Sequence, residues 1–332
     1  MNTFFKILIQ YKLLILALFI AISGFGYKAY QNIPVDAFPD ITPKQVVIYT
    51  ESAGNSAEDI EKLITYPIEA AMSGLPGVKM ILSNSIFGLS YVSIFFEDNY
   101  DTYFLRQLVT ERLNMVNIPQ GWGIPTMGPN TTGLGQVLWY ALEDKKNKYT
   151  PSQLRQLHEY TVSPLLKSVD GVEEVISWGG FEKQYEVLID PKRLQAVDVT
   201  YNEVIEALEK SNQSVGGQYL EFNKEQYLIR GAGLYEKMDD IRNTVIRTKD
   251  AKAVTIKDVA TVQEGKAPRF GAVSVDGKER VFGMVLQRSG TNAAKVVELI
   301  KDKMPLVKSA LPKDVNLQVI YDRTEITHKA VS

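Results

Sequence analysis

The chain is predicted to be a mixed α+β protein: one N-terminal membrane helix, then two small split-βαβ units, the second interrupted by an α+β insertion. Three observations predict it. An apolar run without a charge, 13–27, passes straight into the proline-rich stretch 34–43. Beyond it the hydrophobic period switches repeatedly between strand and helix, in an order that occurs twice. Between about 191 and 270 that order gives way to short alternating segments.

The bulk numbers fit this. A length of 332 residues suits two or three compact units. With 45% hydrophobic and 23% charged residues, the composition is that of folded domains. Lys and Arg number 37 against 39 Asp and Glu, a formal net charge of -2, so no basic excess exists to hold phosphates and nucleic acid is not an expected partner. Cysteine is absent, which excludes disulfide frameworks, thiolate zinc sites and cysteine nucleophiles.

The first element is the apolar helix. About 20 apolar residues span a bilayer, and 11–30 suffices, with Tyr11, Tyr27 and Tyr30 as interfacial residues. A cleaved signal peptide is the alternative, with Lys6 and Lys12 as its basic region, 13–22 as its apolar region and Ala21-Ile22-Ser23-Gly24 as a small-residue cleavage site. Both readings keep the N-terminus cytoplasmic and send the rest across, because Lys6 and Lys12 precede the run while Asp36 and Asp40 follow it. Residues 1–12 are a candidate interfacial helix.

The first unit follows. Residues 45–50 read as a strand, and Ser56 caps a helix carrying Ile60, Leu63, Ile64, Ile68 and Met72 on one face, which stops at Gly74-Leu75-Pro76-Gly77. Strands 78–84 and 91–96 join through Ile86-Phe87-Gly88; a helix at 103–116 and a turn-rich stretch at 119–129 complete the unit. The second has the same order: strand 137–142, a helix from Thr150-Pro151-Ser152 to about Ser168, then strands 172–178 and 184–189 around Gly179-Gly180. Gly77-Val78 matches Gly171-Val172, Gly88 matches Gly180 and Asp98 matches Asp190, a weak internal repeat of two ferredoxin-like units. The insertion holds a helix at 201–210 and a hairpin, 218–222 with 226–230, around Asn223-Lys224-Glu225. Such a solvated hairpin needs packing from elsewhere, and a neighbouring subunit is one candidate. Short strands at 254–262, a hairpin at 272–287 through Asp276-Gly277, a helix at 292–310 and a strand at 315–321 return the chain to the second unit.

The residues point to no enzyme, and no catalytic, cofactor-binding or metal-site residue is assigned. There is no Gly-x-Ser-x-Gly elbow, P-loop or dinucleotide fingerprint. Thr132-Gly133-Leu134-Gly135 leads into a strand and reads as a flexible hinge rather than a phosphate cradle. His158 and His328 have no neighbour at ligand spacing and are expected on solvated helix faces. The carboxylates Glu97, Asp98 and Asp101, Glu143 and Asp144, and Asp239 and Asp240 sit where capping and turn bonds are expected. The dispersed methionines fill cores, and only Met127 stands where a cleft could be faced.

Several stretches together carry a resemblance. Pro34-Val35-Asp36-Ala37-Phe38-Pro39-Asp40-Ile41 with Gln45-Val46, Thr65-Tyr66-Pro67-Ile68-Glu69, Gly74-Leu75-Pro76-Gly77-Val78 and Phe87-Gly88-Leu89-Ser90 resemble heavy-metal efflux transporters of the resistance-nodulation-division superfamily. So do Phe96-Glu97-Asp98, Arg106-Gln107-Leu108-Val109, and Gly128-Pro129 with Thr132 to Gly135. Ile189-Asp190-Pro191, Ser211-Asn212-Gln213, Gly216-Gly217, Leu286-Gln287-Arg288-Ser289-Gly290 and Tyr321-Asp322-Arg323 continue it, in order, to the end of the chain.

The resemblance implies a proton-driven homotrimer in the bacterial inner membrane, working with membrane lipid around it, a periplasmic adaptor and an outer-membrane channel. The exported metal cation is substrate, and no cofactor is implied. It further implies that the apolar run is a retained first transmembrane helix (1–33) and that residues after about 33 are periplasmic. The first porter subdomain is then 34–134 and the second 135–182 with 272–328; a docking subdomain, 183–271, is inserted in it, its hairpin arm reaching the next subunit. Gly133-Leu134-Gly135 and Phe87-Gly88-Leu89-Ser90 look more like the zinc, cobalt, cadmium and nickel branch than the copper and silver branch. Family members are roughly three times this length, and their proton-relay carboxylates and principal metal ligands have no counterpart before Ser332. The chain is therefore expected to be the N-terminal third of such a pump, inactive alone, and truncated, incomplete or one piece of a split transporter. The alternatives are a superfamily relative exporting organic compounds, and a stand-alone membrane-anchored periplasmic binding or adaptor module.

Overall fold

A computed structural model describes residues 11–31, 41–222, 225–231, 233–249, 252–269 and 271–331. The N-terminal interfacial helix and the proline-rich link 34–40 expected from the sequence lie outside them. The helix α1, Lys12–Gln31, leaves Leu13, Phe19 and Phe25 exposed at 75%, 68% and 81%. Among the described residues no helix is long and apolar enough to cross a membrane, so the expected crossing rests on its sequence.

The first sheet has the order β2-β3-β1-β4, with every neighbouring pair antiparallel. Its strands are β1 (Gln45–Glu51), β2 (Val78–Ile86), β3 (Leu89–Phe96) and the two-residue β4 (Thr126–Met127). Helix α2, residues 57–72, connects β1 to β2, and α3 (Thr102–Leu113) connects β3 to β4. Ser56 caps α2 by accepting from Asp59 N–H, and Asp101 caps α3 by accepting from Tyr103 and Phe104 N–H. Within α2 the turn Glu61–Thr65 is a π-helix. Its i→i+5 bonds underwind the helix, which brings Ile60, Ile64, Ile68 and Met72, all fully buried, onto one stripe. Leu63, expected on the same face, is instead 37% exposed, because it falls off that stripe. The buried residues of α2 pack with Val46, Ile48, Val92, Ile94, Phe96, Leu105 and Val109 as one core.

The second sheet repeats the plan. Its strands are β5 (Gln136–Asp144), β6 (Val172–Trp178), β14 (Lys278–Gln287) and β15 (Val315–Asp322), in the antiparallel order β6-β14-β5-β15. Helix α4, residues 151–167, leads to β6, and α9 (Ala293–Ala310) connects β14 to β15. Like α2, α4 contains a π turn, His158–Val162, and in both a proline, Pro67 or Pro164, follows shortly after it. β7 (Lys183–Ile189), expected to follow β6 as β3 follows β2, leaves this sheet and pairs with β12 (Ala260–Lys266). The counterpart of β3 is therefore β14, about a hundred residues later.

By compactness the chain forms two units: Met1–Lys146 with Leu157–Trp178 and Val281–Ser332, and Asn147–Gln156 with Gly179–Arg280. The second unit contains β7, β12, α5 (Pro191–Val197), α6 (Tyr201–Ser211) and the hairpin β8 (Val215–Phe222) and β9 (Glu225–Gly231). α7 (Met238–Arg242), β10 (Val245–Lys249), β11 (Lys252–Thr255), α8 (Ile256–Val259) and β13 (Val273–Val275) complete it. Its own small core joins Val199, Val204, Ile241, Ile256, Val259 and Val262. In the first unit the chain closes with α10, Arg323–Val331.

Candidate functional site

The stretches 128–135, 286–290 and 321–323, far apart in sequence, meet at the strap that joins the two sheets. At its start the Gly128 N–H donates to Val47 O of β1 at 2.8 Å, which continues the pairing of β4. Asn130 is already held by the second sheet's side. Its N–H donates to Glu173 Oε1 at 2.9 Å, and its carbonyl accepts from Ser289 N–H at 2.9 Å. Only Pro129 lies between these anchors, and its ring fixes φ.

The far end is held as firmly. Gly135 O accepts from Gln287 N–H at 2.8 Å, and Leu134 O accepts from Arg323 Nη1. Gly135 is sterically required, since a Cβ there would lie 3.0 Å from Thr132 O and press on Thr131 Oγ1. The hinge expected at 132–135 is thus a strap bonded at both ends. The step between the sheets is Gly128-Pro129, whose proline carbonyl accepts from Thr131 N–H at 2.9 Å.

Charged groups brace this junction. Glu173 Oε2 accepts from Arg288 Nε at 3.4 Å, with only 21% and 35% of the two side chains exposed. Asp322 sits at the end of β15 with its side chain 5% exposed and Lys301 Nζ 2.5 Å away. It also accepts from the Thr324 N–H at 2.8 Å and hydroxyl at 2.6 Å. Burial alone pushes its carboxyl up, but the bonds from Lys301 and Thr324 outweigh that and hold it below its ordinary value. A cavity of about 240 Å³ opens beside the strap, lined by Leu134, Trp139, Tyr321, Arg323 and Ile326 among others. Elsewhere at the junction, Asn130 Nδ2 and Gln287 Oε1 are buried without a hydrogen-bond partner within the chain. The arrangement ties the strap between the two sheets to β6, β14 and the start of the last helix.

The other residues singled out by sequence lie elsewhere. His158, expected on a solvated face, is fully buried. Its Nε2 is hydrogen-bonded to Tyr140 Oη at 2.8 Å and its Nδ1 to Ser177 Oγ at 2.5 Å. Gly283 makes room for this trio: a Cβ there would lie 2.5 Å from the tyrosine hydroxyl and 2.6 Å from His158 Nε2. Burial, followed by the charge of Glu159, pushes the Tyr140 phenol up, so it stays neutral. The side chain of His328 lies outside the described residues. Met127 packs against the first core and accepts a contact from Thr110 Oγ1 at 3.7 Å.

Of the carboxylates singled out, Asp101, Asp144 and Asp240 accept backbone N–H bonds at turns or helix starts, and Asp98 and Asp239 pair with Lys79 and Arg242. Asp101 caps α3; Asp98 is 3.5 Å from Lys79 Nζ. Asp240 accepts from Lys237 and Glu236 N–H at 2.9 and 3.0 Å, which lowers its pKa, and Asp239 pairs with Arg242 at 2.8 Å. Asp144 is buried and accepts from Lys146 N–H at 3.0 Å. Among the described residues no group of three or more His, Cys, Asp or Glu is placed to hold a metal ion. Glu173 and Asn130 were not legible as junction residues. Their only signal is position, just after Gly171-Val172 and just after Gly128-Pro129.

Comparison with known proteins matches residues 4–332 to the AcrB/AcrD/AcrF family model. The cobalt-zinc-cadmium resistance protein CzcA of Cupriavidus metallidurans is 38% identical over 333 residues, which cover 98% of this chain and 31% of that protein. The cation efflux system protein CusA of Escherichia coli O157:H7 is 38% identical over 318 residues, 95% of this chain and 30% of that protein. A crystal structure of a heavy metal efflux pump superposes with a TM-score of 0.85 at 28% identity, covering 96% of this chain and 32% of that one. The chain therefore spans about a third of the length of the relatives it matches.

Proposed function

The chain belongs to the AcrB/AcrD/AcrF family, and from that membership we propose that it is the N-terminal third of a proton-driven pump exporting metal cations across the cell envelope. The observation that supports this most is the extent of the match: 98% of this chain aligns with one end-to-end third of a protein named for cobalt, zinc and cadmium resistance. The 38% identity to the cation efflux protein CusA is equal, so identity alone does not select the metal. Motif similarity over 87–90 and 133–135 favours zinc, cobalt, cadmium or nickel as substrate.

In this reading α1 is the first membrane helix, entering from the cytoplasm. Its apolar, exposed Leu13, Phe19 and Phe25 support a lipid-facing role. Residues 34–134, and 135–182 with 272–328, are two periplasmic porter subdomains of ferredoxin-like form. The shared strand order of the two sheets, with a helix on each crossover, supports that form. Residues 183–271 form the docking subdomain, and the β8–β9 hairpin is the arm that reaches the next copy in a homotrimer. A periplasmic adaptor and an outer-membrane channel complete the export route.

Growth tests this. The strain lacking the gene that encodes this chain is grown on graded zinc, cobalt, cadmium, copper and a panel of organic toxicants. Tolerance of the divalent cations is expected to fall, with organic tolerance unchanged. Loss of organic tolerance alone would replace metal with organic compounds as substrate, and unchanged tolerance throughout would overturn the proposal.

A further inference from the structure

We infer that Asn212 is a positioning residue: with Tyr235 it clamps the base of the β8–β9 arm, fixes the direction in which the arm leaves its unit, and so sets how readily the arm seats on a second copy of the chain. The last step rests on the docking role proposed above for the arm; the clamp itself does not.

Three observations point to it. First, backbone pairing holds the base of the arm only briefly. Val215 pairs with Gly231 and Gly216 with Arg230, then the register shifts and pairing resumes at Tyr219 with Leu228. Such an irregularity bends a ribbon, and a two-stranded ribbon is marginal by itself. Second, a side-chain bond sits just below those pairs. Asn212 follows α6, where its own N–H donates to Leu208 O at 3.2 Å, and its side-chain Oδ1 accepts from Tyr235 N–H at 3.1 Å. That bond crosses from the segment that enters the arm to the segment that leaves it. The two segments are in close contact there, since a Cβ on Gly233 would press on Gln213 O. Third, Tyr235 is anchored to the body of the unit. Its hydroxyl donates to Leu208 O at 3.3 Å and accepts from Thr244 Oγ1 at 2.9 Å, and the residue packs against the unit's core. Asn212 thus ties the entry of the arm to a fixed point on its exit.

Asn212 is exposed, so its loss leaves the core of the unit intact and is felt at the arm. An arm already held in one direction loses less freedom on docking than one that swings, and that difference appears as affinity. This gives Ser211-Asn212-Gln213 and Gly216-Gly217 separate tasks: the first closes the base, the second lets the ribbon bend above it.

The experiment compares the full chain in detergent as wild type, N212A and N212D, by hydrogen–deuterium exchange with mass spectrometry and by sedimentation velocity over a range of concentrations. Exchange is read at a dilution where sedimentation shows monomer, on peptides covering 213–235, with β7 and β12 of the same unit as internal control. N212A is expected to raise exchange of the arm roughly fivefold, as for loss of one hydrogen bond between neutral groups, and to leave the control unchanged. N212D keeps an acceptor oxygen at the same place and is expected to stay near the wild type. Self-association should weaken in N212A and return in N212D. An arm unchanged in N212A, or loosened as much in N212D, would overturn the clamp. Unchanged self-association of an N212A chain whose arm exchanges faster would overturn its part in assembly. A wild type that stays monomeric at every concentration would overturn the docking role of the arm instead, with the clamp still decided by exchange.

Discussion

Gly283 and the trio it accommodates show how one residue decides the packing of the second sheet. Tyr140 from β5, Ser177 from β6 and His158 from α4 fill the space above β14 where any side chain at 283 would stand. Gly283→Ala is expected to destabilise by about 1–3 kcal/mol, the range for overpacking a dense core, read as a lower midpoint in chemical denaturation. Asp322 gives a pH signature. Its folded pKa lies below the ordinary 3.8, so its bonds stabilise the fold above that value and the contribution is lost as pH falls through the folded pKa. Denaturation midpoints measured below about pH 5 should therefore fall with acid, and D322N should flatten the curve; an unchanged slope in D322N would assign it to other groups. The sequence announced neither site. Histidine spacing argued against metal binding, which is as far as spacing reaches; that His158 is buried depends on partners 18 and 19 residues away on separate strands.

Helices and strands were the most legible scale, because their signals are local. Ser56 and Asn292 mark helix starts, Gly77 and Gly171 mark turns, and Asp276-Gly277, both at positive φ, closes the β13–β14 hairpin as its residue types require. Ser56→Ala is expected to cost about 1 kcal/mol through loss of the cap, measurable by thermal unfolding. The misses have local causes as well. α5 was hidden because Asp190 reads as the acid ending a strand, whereas its side chain caps the next helix by accepting from Lys192 and Arg193 N–H. β4, only two residues long, is invisible inside a turn-rich stretch. The π turn in α2 altered which residues share a face, so Leu63 left the core. For α1, F19R is expected to release a large fraction of the chain from the carbonate-washed membrane pellet, since an arginine in mid-bilayer costs about 2.5–3.5 kcal/mol on insertion scales. Equal recovery of wild type and variant in the pellet would remove α1 as the anchor.

At the level of the whole molecule, order along the chain was legible but pairing across it was not. The two sheets share the order 4-1-3-2 because strand, helix, strand and turn recur in each. What sequence could not reveal is that β7 pairs with β12 and that β14 fills the vacant place beside β6. Strand pairing at a separation of about a hundred residues leaves no local trace, and β7 had the right length and position to be mistaken for the missing strand. The chain leaves the second sheet after β6 and returns to it with β14, α9 and β15. The junction at 128–135 follows from this layout: a short strap joins two sheets of one plan.

The most direct test of the proposed pump is cell-associated zinc after a zinc challenge, measured by elemental mass spectrometry in cells with and without the gene that encodes this chain, each with and without a protonophore. Cells lacking the gene should retain several times more zinc, and protonophore-treated wild-type cells should match them. Equal zinc in the two strains, or a difference that persists when the proton gradient is collapsed, would contradict the account.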